Sequence, residues 1–408
     1  MMNRLLVAMV DDASLYSKKL IEGYSQLGAR CVLYGPLSAI SSKSPKIMVG
    51  LGPEAVRVWS QNMFPFQVLK RAVRDKPDLV HVQFEFYGIH SYGPIYASIG
   101  LPILLILLRV ARLSTLVTLH SVLPSTSGQL SQVRDTSPNA KGFPTVLLEA
   151  FLLLSYKLVG SFANGILVHA RVFKRRLIEQ YHVRPSKIVV VPHGVDPWDR
   201  ASPKEQSSGS IQNPILYFGV ISPRKGIENL LRAFALLTRR RPDCELLLAG
   251  SSPPYYPGYE SKLRDRALRL GLGQKIHFLG AVDNTLAHKL FEQARFVILP
   301  YSYNVSASGV LSWAIGHGVP VIVSDNEYFR EELSPRQFGL MVTPGKPEPL
   351  AKAMESLLTE EKLHASLSQS AREAGLSRTW NTVASETMQY YQTMISHNGF
   401  KTTAIAHH

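Results

Sequence analysis

Apolar positions along this chain come in blocks. Continuous Val, Ile and Leu runs at residues 4–10, 29–34, 46–51, 78–84, 113–120, 165–169 and 187–192 predict strands in the first half. Between several of them, residues 15–27 and 171–181 repeat apolar positions at helical spacing. A second series, at 214–220, 244–250, 275–280, 296–300, 320–324 and 338–342, runs through the second half. Runs that are apolar throughout and separated by helices belong to parallel strands covered on both faces. Two such series predict an α/β chain of two Rossmann-like, doubly wound domains.

The break between the series is polar. After Val191-Pro192-His193-Gly194-Val195-Asp196 the chain turns to Ser, Gly and charge without apolar period, which reads as a linker. The predicted plan is a first domain over 1–197, a linker over 198–212, a second domain over 213–380 and a last helix over 381–396. Residues 124–145 are rich in Ser, Thr, Gln, Gly and Pro and predict a long loop inside the first domain.

With 408 residues, 45% of them apolar, the chain can bury sizeable cores, and whole-chain disorder is excluded. Its two cysteines, Cys31 and Cys244, exclude a disulfide framework and a zinc site, and are expected as small buried hydrophobes in a reducing compartment. The apolar run at residues 5–10 is too short for a secretory segment and stops at Asp11-Asp12, so it is expected as the first strand of a cytoplasmic protein. Net charge is +15, unevenly placed: residues 1–196 hold 22 basic and 11 acidic side chains, a balance of +11. A basic half points to a polyanionic partner such as nucleic acid, an anionic membrane or a phosphorylated substrate, or to a merely basic surface.

Two segments bear on the membrane alternative. Residues 101–113 and 143–160 are strongly apolar, but Arg109 and Arg112 interrupt the first, and Glu149 and Lys157 the second. Neither is a clean spanning helix. They are expected as buried core helices, with interfacial docking on an anionic surface as the alternative.

Two loops carry the candidate chemistry. In the first, a strand ends at Phe218-Gly219, Arg224-Lys225-Gly226 follows, and an amphipathic helix runs to Phe234. The start of a helix offers unpaired N–H groups that suit phosphate, and the two cations add charge there. Alone, this is also what an ordinary turn with solvated charges looks like. In the second, a strand leads into Ser306-Ala307-Ser308-Gly309 and a helix beginning near Val310, where small residues let an anion approach the backbone. Both loops follow strand carboxyl ends, where doubly wound sheets bind ligands.

These stretches, with 247–250, Phe278-Leu279-Gly280, 297–300 and 318–324, resemble retaining glycosyltransferases of the GT-B fold, in the glycogen-synthase-like and polysaccharide-building family (glycosyl transferases group 1). The resemblance is dense over 187–345 and sparse in the first half. It implies a nucleotide-diphosphate sugar donor held by the second domain and a saccharide or lipid-linked acceptor by the first. Lys225, helped by Arg224, would neutralise the leaving diphosphate, and the Ser308, Gly309 and Val310 amides would face it. Preorganised donors of that kind remove the need for a metal, so no cofactor is expected. Ala281 and Val282 would lie against the base. His120 matches a histidine that contacts the transferred sugar, and Ser14 belongs to the first loop on the acceptor side. The helix after Trp380 would return to the first domain.

There are departures from the family. Its two glutamates bracketing the small-residue loop are Val305 and Trp313 here, its Arg after the strand glycine is Val220, and the first loop, Asp11 to Ser14, lacks paired glycines. Ser308-Gly309-Val310-Leu311 resembles the loop of a polysaccharide-type subset. The expected activity is therefore glycosyl transfer, cytoplasmic and peripheral at the inner membrane face. The alternatives are an inactive donor-binding scaffold and a nucleotide-sugar epimerase or hydrolase. No nucleic-acid motif, Walker loop or Gly-x-Ser-x-Gly elbow occurs.

Overall fold

A computed structural model describes residues 5–11, 14–37, 55–60, 63–85, 94–136, 142, 144–198 and 214–397. The strand expected at 46–51, nearly all of the linker, and Asp12 lie outside the described residues. The chain divides into two compact units. One is built from the strands up to Pro192 with the segment from Trp380 onward, the other on His193–Thr379.

The first unit contains β1 (Leu6–Val10), α1 (Leu15–Gln26), β2 (Arg30–Pro36), β3 (Ala55–Trp59), α2 (Phe64–Asp75), β4 (Leu79–Phe84) and α3 (Pro94–Val110). It continues with β5 (Thr115–Leu119), α4 (Ser127–Thr136), α5 (Thr145–Phe162), β6 (Gly165–Val168), α6 (Arg171–Glu179) and β7 (Ile188–Val190). Its described strands form one parallel sheet in the order β3-β2-β1-β4-β5-β6-β7. The order reverses between β1 and β4, so the loops after those two strands diverge and leave a crevice at their carboxyl ends. Helix α14 (Trp380–His397) completes this unit by packing on α1, with Val383, Met388 and Tyr391 in a core shared with Leu20 and Tyr24. The approach is close: a side chain at Gly23 would collide with Ala384.

The second unit contains β8 (Ile215–Phe218), α7 (Ile227–Thr238), β9 (Leu246–Ala249), α8 (Tyr259–Arg269), β10 (Ile276–Gly280), α9 (Asn284–Gln293) and β11 (Phe296–Leu299). After these come α10 (Gly309–Gly316), β12 (Val321–Ser324), α11 (Glu327–Leu333), β13 (Gly339–Val342), α12 (Pro347–Thr359) and α13 (Glu361–Leu376). The sheet order β10-β9-β8-β11-β12-β13 is parallel and reverses between β8 and β11. Helix α7 shows why the elements hold: Ile227, Leu230, Leu231, Phe234 and Leu237 recur at helical spacing and all are buried. Each such side chain contributes roughly 1.5–3 kcal/mol.

Four expectations are corrected. The first unit stops before residue 197, because Val195 N–H donates to the Arg378 carbonyl and Trp198 N–H to the Gly316 carbonyl, tying this segment into the second unit. Strand β3 was not legible: it is an edge strand whose Ala-Val-Arg-Val-Trp sequence forms no continuous apolar run. The loop expected over 124–145 contains α4, a polar helix anchored by buried Leu130. Finally, α5 is not a buried core helix. Leu152, Tyr156 and Val159 face inward, while Val146 (74% exposed), Leu147 and Leu154 are open. By length and composition alone α5 could cross a membrane. The buried cysteines match expectation, and burial pushes the Cys244 thiol up to about 11.

Candidate functional site

In the second unit the loops after β8 and β11 meet at the switch point. A short turn, Pro223–Lys225, ends in Gly226, which has a left-handed φ of 68° and starts α7. A Cβ at Gly226 would overlap the Pro300 carbonyl oxygen, so glycine is required for the two loops to touch. Ser302 N–H donates to the Arg224 carbonyl at 2.9 Å, and Lys225 Nζ sits 3.6 Å above the centre of the Tyr301 ring. Tyr301 is buried, and its hydroxyl is 3.4 Å from Ser308 Oγ, the cap of α10. Thus Lys225 is held toward the β11 loop and the start of α10.

Polar atoms on these loops lack partners among the described residues. Ser222 Oγ, Arg224 Nη1 and Asn304 Nδ2 are buried without a hydrogen bond. A buried donor left unpaired costs about 1–3 kcal/mol. Three on two adjoining loops fit an acceptor-rich ligand such as diphosphate.

Of the three amides expected to face that ligand, Ser308's is already engaged. It donates to the Tyr328 hydroxyl at 3.1 Å, an arrangement set by α11, twenty residues on. Tyr328 feels the charge of buried Glu332, which pairs with Arg378. Burial raises the Glu332 carboxyl while Arg378 opposes that rise. Gly309 and Val310, the first two residues of α10, are left with amides that have no acceptor within the helix.

The carboxyl ends of β8, β9 and β10 form a glycine rim. Gly250 N–H donates to the Gly280 carbonyl at 2.7 Å, and a Cβ at Gly250 would overlap the Gly219 carbonyl. Ala281 and Val282 follow this rim, the first exposed and the second half-buried. Val305 is buried, whereas Trp313 is half-exposed, packs near Phe218 and lies parallel to His317. His193, quoted above only as part of a motif, bonds Ser312 of α10 at 3.2 Å, and burial lowers its pKa.

In the first unit the corresponding ends carry a closed polar network. Ser14 caps α1 and donates to Asp11 Oδ2 at 2.5 Å. His120 follows β5 and His169 follows β6; His120 Nδ1 and His169 Nε2 are 3.1 Å apart. His120 Nε2 bonds Gln83 Oε1 at 3.0 Å, and His169 Nδ1 bonds the Val191 carbonyl at 3.0 Å. Both ring nitrogens of His120 are therefore occupied. The Tyr16 ring stands edge-on against both imidazoles. Gln83 and His169 went unremarked in the sequence, since nothing local marks two residues whose partners lie on other strands. Among the described residues, no three His, Cys, Asp or Glu are grouped to hold a metal ion.

With both crevices placed, likeness to other proteins gives the class. Residues 200–374 match the family model Glycosyl transferases group 1, and residues 16–199 match Glycosyltransferase Family 4. The chain carries a glycosyltransferase domain in each half, and its two parallel-sheet units have the GT-B glycosyltransferase fold. Among relatives, it is 32% identical over 212 residues to the phosphatidyl-myo-inositol mannosyltransferase of Mycobacterium leprae, covering 51% of this chain and 54% of that protein. The chain thus spans about half the length of the curated relatives it matches. Among solved structures, Anabaena Alr3699/HepE in complex with UDP superposes with a TM-score of 0.72 at 17% identity, over 95% of this chain and 100% of that one. WaaG, a glycosyltransferase involved in lipopolysaccharide biosynthesis, does so at 0.66 and 16%, over 94% and 99%.

Proposed function

We propose that this protein transfers a glycosyl group, with retention, from a nucleotide-diphosphate sugar to a hydroxyl of a saccharide or lipid-linked saccharide. The observation that carries this reading is the meeting of the β8 and β11 loops, with Lys225 above Tyr301 and three buried atoms unpaired beside it. Lys225 and Arg224 would stabilise charge on the departing diphosphate, with the Gly309 and Val310 amides as further donors. That charge set would serve without a metal. Ala281 and Val282 would flank the base. Structural neighbours captured with UDP and UDP-glucose agree with such a donor.

The acceptor side is read from the first unit. Helices α2, α3 and α5 pack side by side and expose Phe66, Val73, Ile103, Val110, Leu147 and Leu154. Lys70, Arg74, Arg109, Arg112 and Lys157 on or beside these helices are exposed as well. Apolar stripes bordered by cations suit the surface of an anionic bilayer. We therefore place the enzyme in the cytoplasm, docked peripherally on the membrane beside a lipid-linked acceptor.

A second reading, an inactive donor-binding scaffold, is favoured by Val305 and Trp313, which put carbon where the family resemblance expects carboxylates. A thermal-shift panel of nucleoside diphosphates and their sugars tests the donor site. One nucleotide family should raise Tm, by about 2.7 kcal/mol of stability at a hundredfold excess over Kd, and Lys225→Ala should abolish the shift. Silence across the panel would remove the donor site. Binding without turnover over a broad acceptor set would favour the scaffold.

A further inference from the structure

We infer that His169 is the positioning residue of His120, and that the two imidazoles hold three ring protons between them, a single positive charge at the carboxyl ends of β5 and β6. The kinetic consequence rests on the glycosyl-transfer reading, in which His120 lies beside the transferred sugar; the proton count does not.

The count follows from the groups at either end. The Val191 carbonyl only accepts, so His169 Nδ1, 3.0 Å away, carries a hydrogen. At the other end His120 Nε2 faces Gln83 Oε1 at 3.0 Å, and it too must donate. The inner pair, His120 Nδ1 and His169 Nε2, are 3.1 Å apart and share one more hydrogen. Two neutral imidazoles would carry only two.

The conclusion depends on which way the Gln83 amide points, and its surroundings decide that. Gln83 Nε2 lies 3.1 Å from Met9 Sδ and 3.2 Å from His81 Nε2. A thioether has no hydrogen to give, so the amide nitrogen belongs on that side. Burial pushes His81 down to about 3, with the His169 charge a lesser cause, so His81 is neutral. Its Nδ1 is 2.5 Å from the Tyr391 hydroxyl, and in the tautomer with the hydrogen on Nδ1, Nε2 accepts from Gln83 and from Thr118 Oγ1 at 2.7 Å. In this arrangement every member from Tyr391 to Val191 is satisfied, and it is the one that puts the Gln83 N–H on the thioether.

Titratable groups around the pair among the described residues include Tyr16 from α1, whose ring is edge-on to both imidazoles, His81 from β4, and buried Asp11 at the end of β1, whose charge reaches Tyr16. Because both His120 nitrogens are engaged, a substrate oxygen would meet the shared charge rather than a free ring nitrogen. His169 maintains that charge and the plane of the His120 ring.

The test is nitrogen-15 NMR of the full chain labelled at histidine, at neutral pH. The expected wild-type spectrum shows three protonated ring nitrogens in the pair, and His169→Gln leaves one on His120. Two protons in the wild-type pair, with both rings neutral, would overturn the inference. In turnover assays His169→Gln should lower kcat roughly 10–100-fold, by analogy with partners that orient metal-bound histidines, with donor KM within about twofold. Gln83→Glu, which keeps the acceptor, should retain both the third proton and most of kcat, whereas Gln83→Leu should lose both. Unchanged kcat in His169→Gln would overturn the positioning role. Absent turnover in the wild type would instead count against glycosyl transfer, and the spectrum would still decide the proton count.

Discussion

The two units arrange the polar groups at their strand ends differently, although each also keeps buried side-chain atoms without a hydrogen bond, Ser17 Oγ in the first among them. In the first, Tyr24, Tyr391, His81, Gln83, His120, His169 and the Val191 carbonyl form one continuous chain of hydrogen bonds. In the second, the loop after β8 holds two consecutive cations against the loop after β11, and Ser222, Arg224 and Asn304 keep buried atoms unmatched. Both sheets reverse strand order at a central switch point, so the contrast lies in the loops and side chains placed there. A network that satisfies itself stays rigid without ligand, whereas unmatched donors gain most when an acceptor arrives.

That contrast can be broken from either side. The largest effect is expected for Arg378→Ala in the second unit. It leaves Glu332 buried and unpaired beneath Tyr328, and should lower stability by about 3–5 kcal/mol in denaturant unfolding. A loss under 1 kcal/mol would mean that the α10 rim is not held from below.

The first unit should respond instead to acid. Folded His81 titrates at about 3, against roughly 6.5 unfolded. Between those values the unfolded chain binds the proton and the folded chain does not, so stability falls as pH falls. At pH 5 the loss is about 2 kcal/mol. His81→Gln should flatten the slope between pH 7 and 5 relative to wild type. Equal slopes would show that His81 is not held neutral.

The smallest effect concerns the open helical face, which is described only for the first unit. Wild type should float with vesicles containing anionic lipid at physiological salt, and Leu154→Ser should bind about tenfold more weakly, roughly 1.4 kcal/mol. Indifference of the wild type to those vesicles would remove the docking surface.

Much of the architecture was legible because buried parallel strands are written as unbroken Val, Ile and Leu. Lys225-Gly226 stood out for the same kind of reason, since strand, glycine, cations and helix follow one another locally. What escaped was assembled across elements. Strand β3 buries only Trp59 fully. The Ser308 amide is lost to Tyr328 on another helix. The His120–His169 contact joins strand ends 49 residues apart. The outward face of α5 escaped because composition reports how apolar a helix is, and packing decides which side it covers.

Helix α14 carries a consequence for how the molecule is made. Its Tyr391 bonds His81, and its Trp380 packs against Tyr16, so the N-terminal core incorporates residues translated only after the whole intervening unit. While a nascent chain is emerging, the N-terminal sheet waits with one flank bare until some 190 further residues have left the ribosome. By then the intervening unit has all its own strands and can fold ahead of it. Ribosome-stalled chains ending before Trp380 should therefore present a protease-resistant middle and a cleavable beginning.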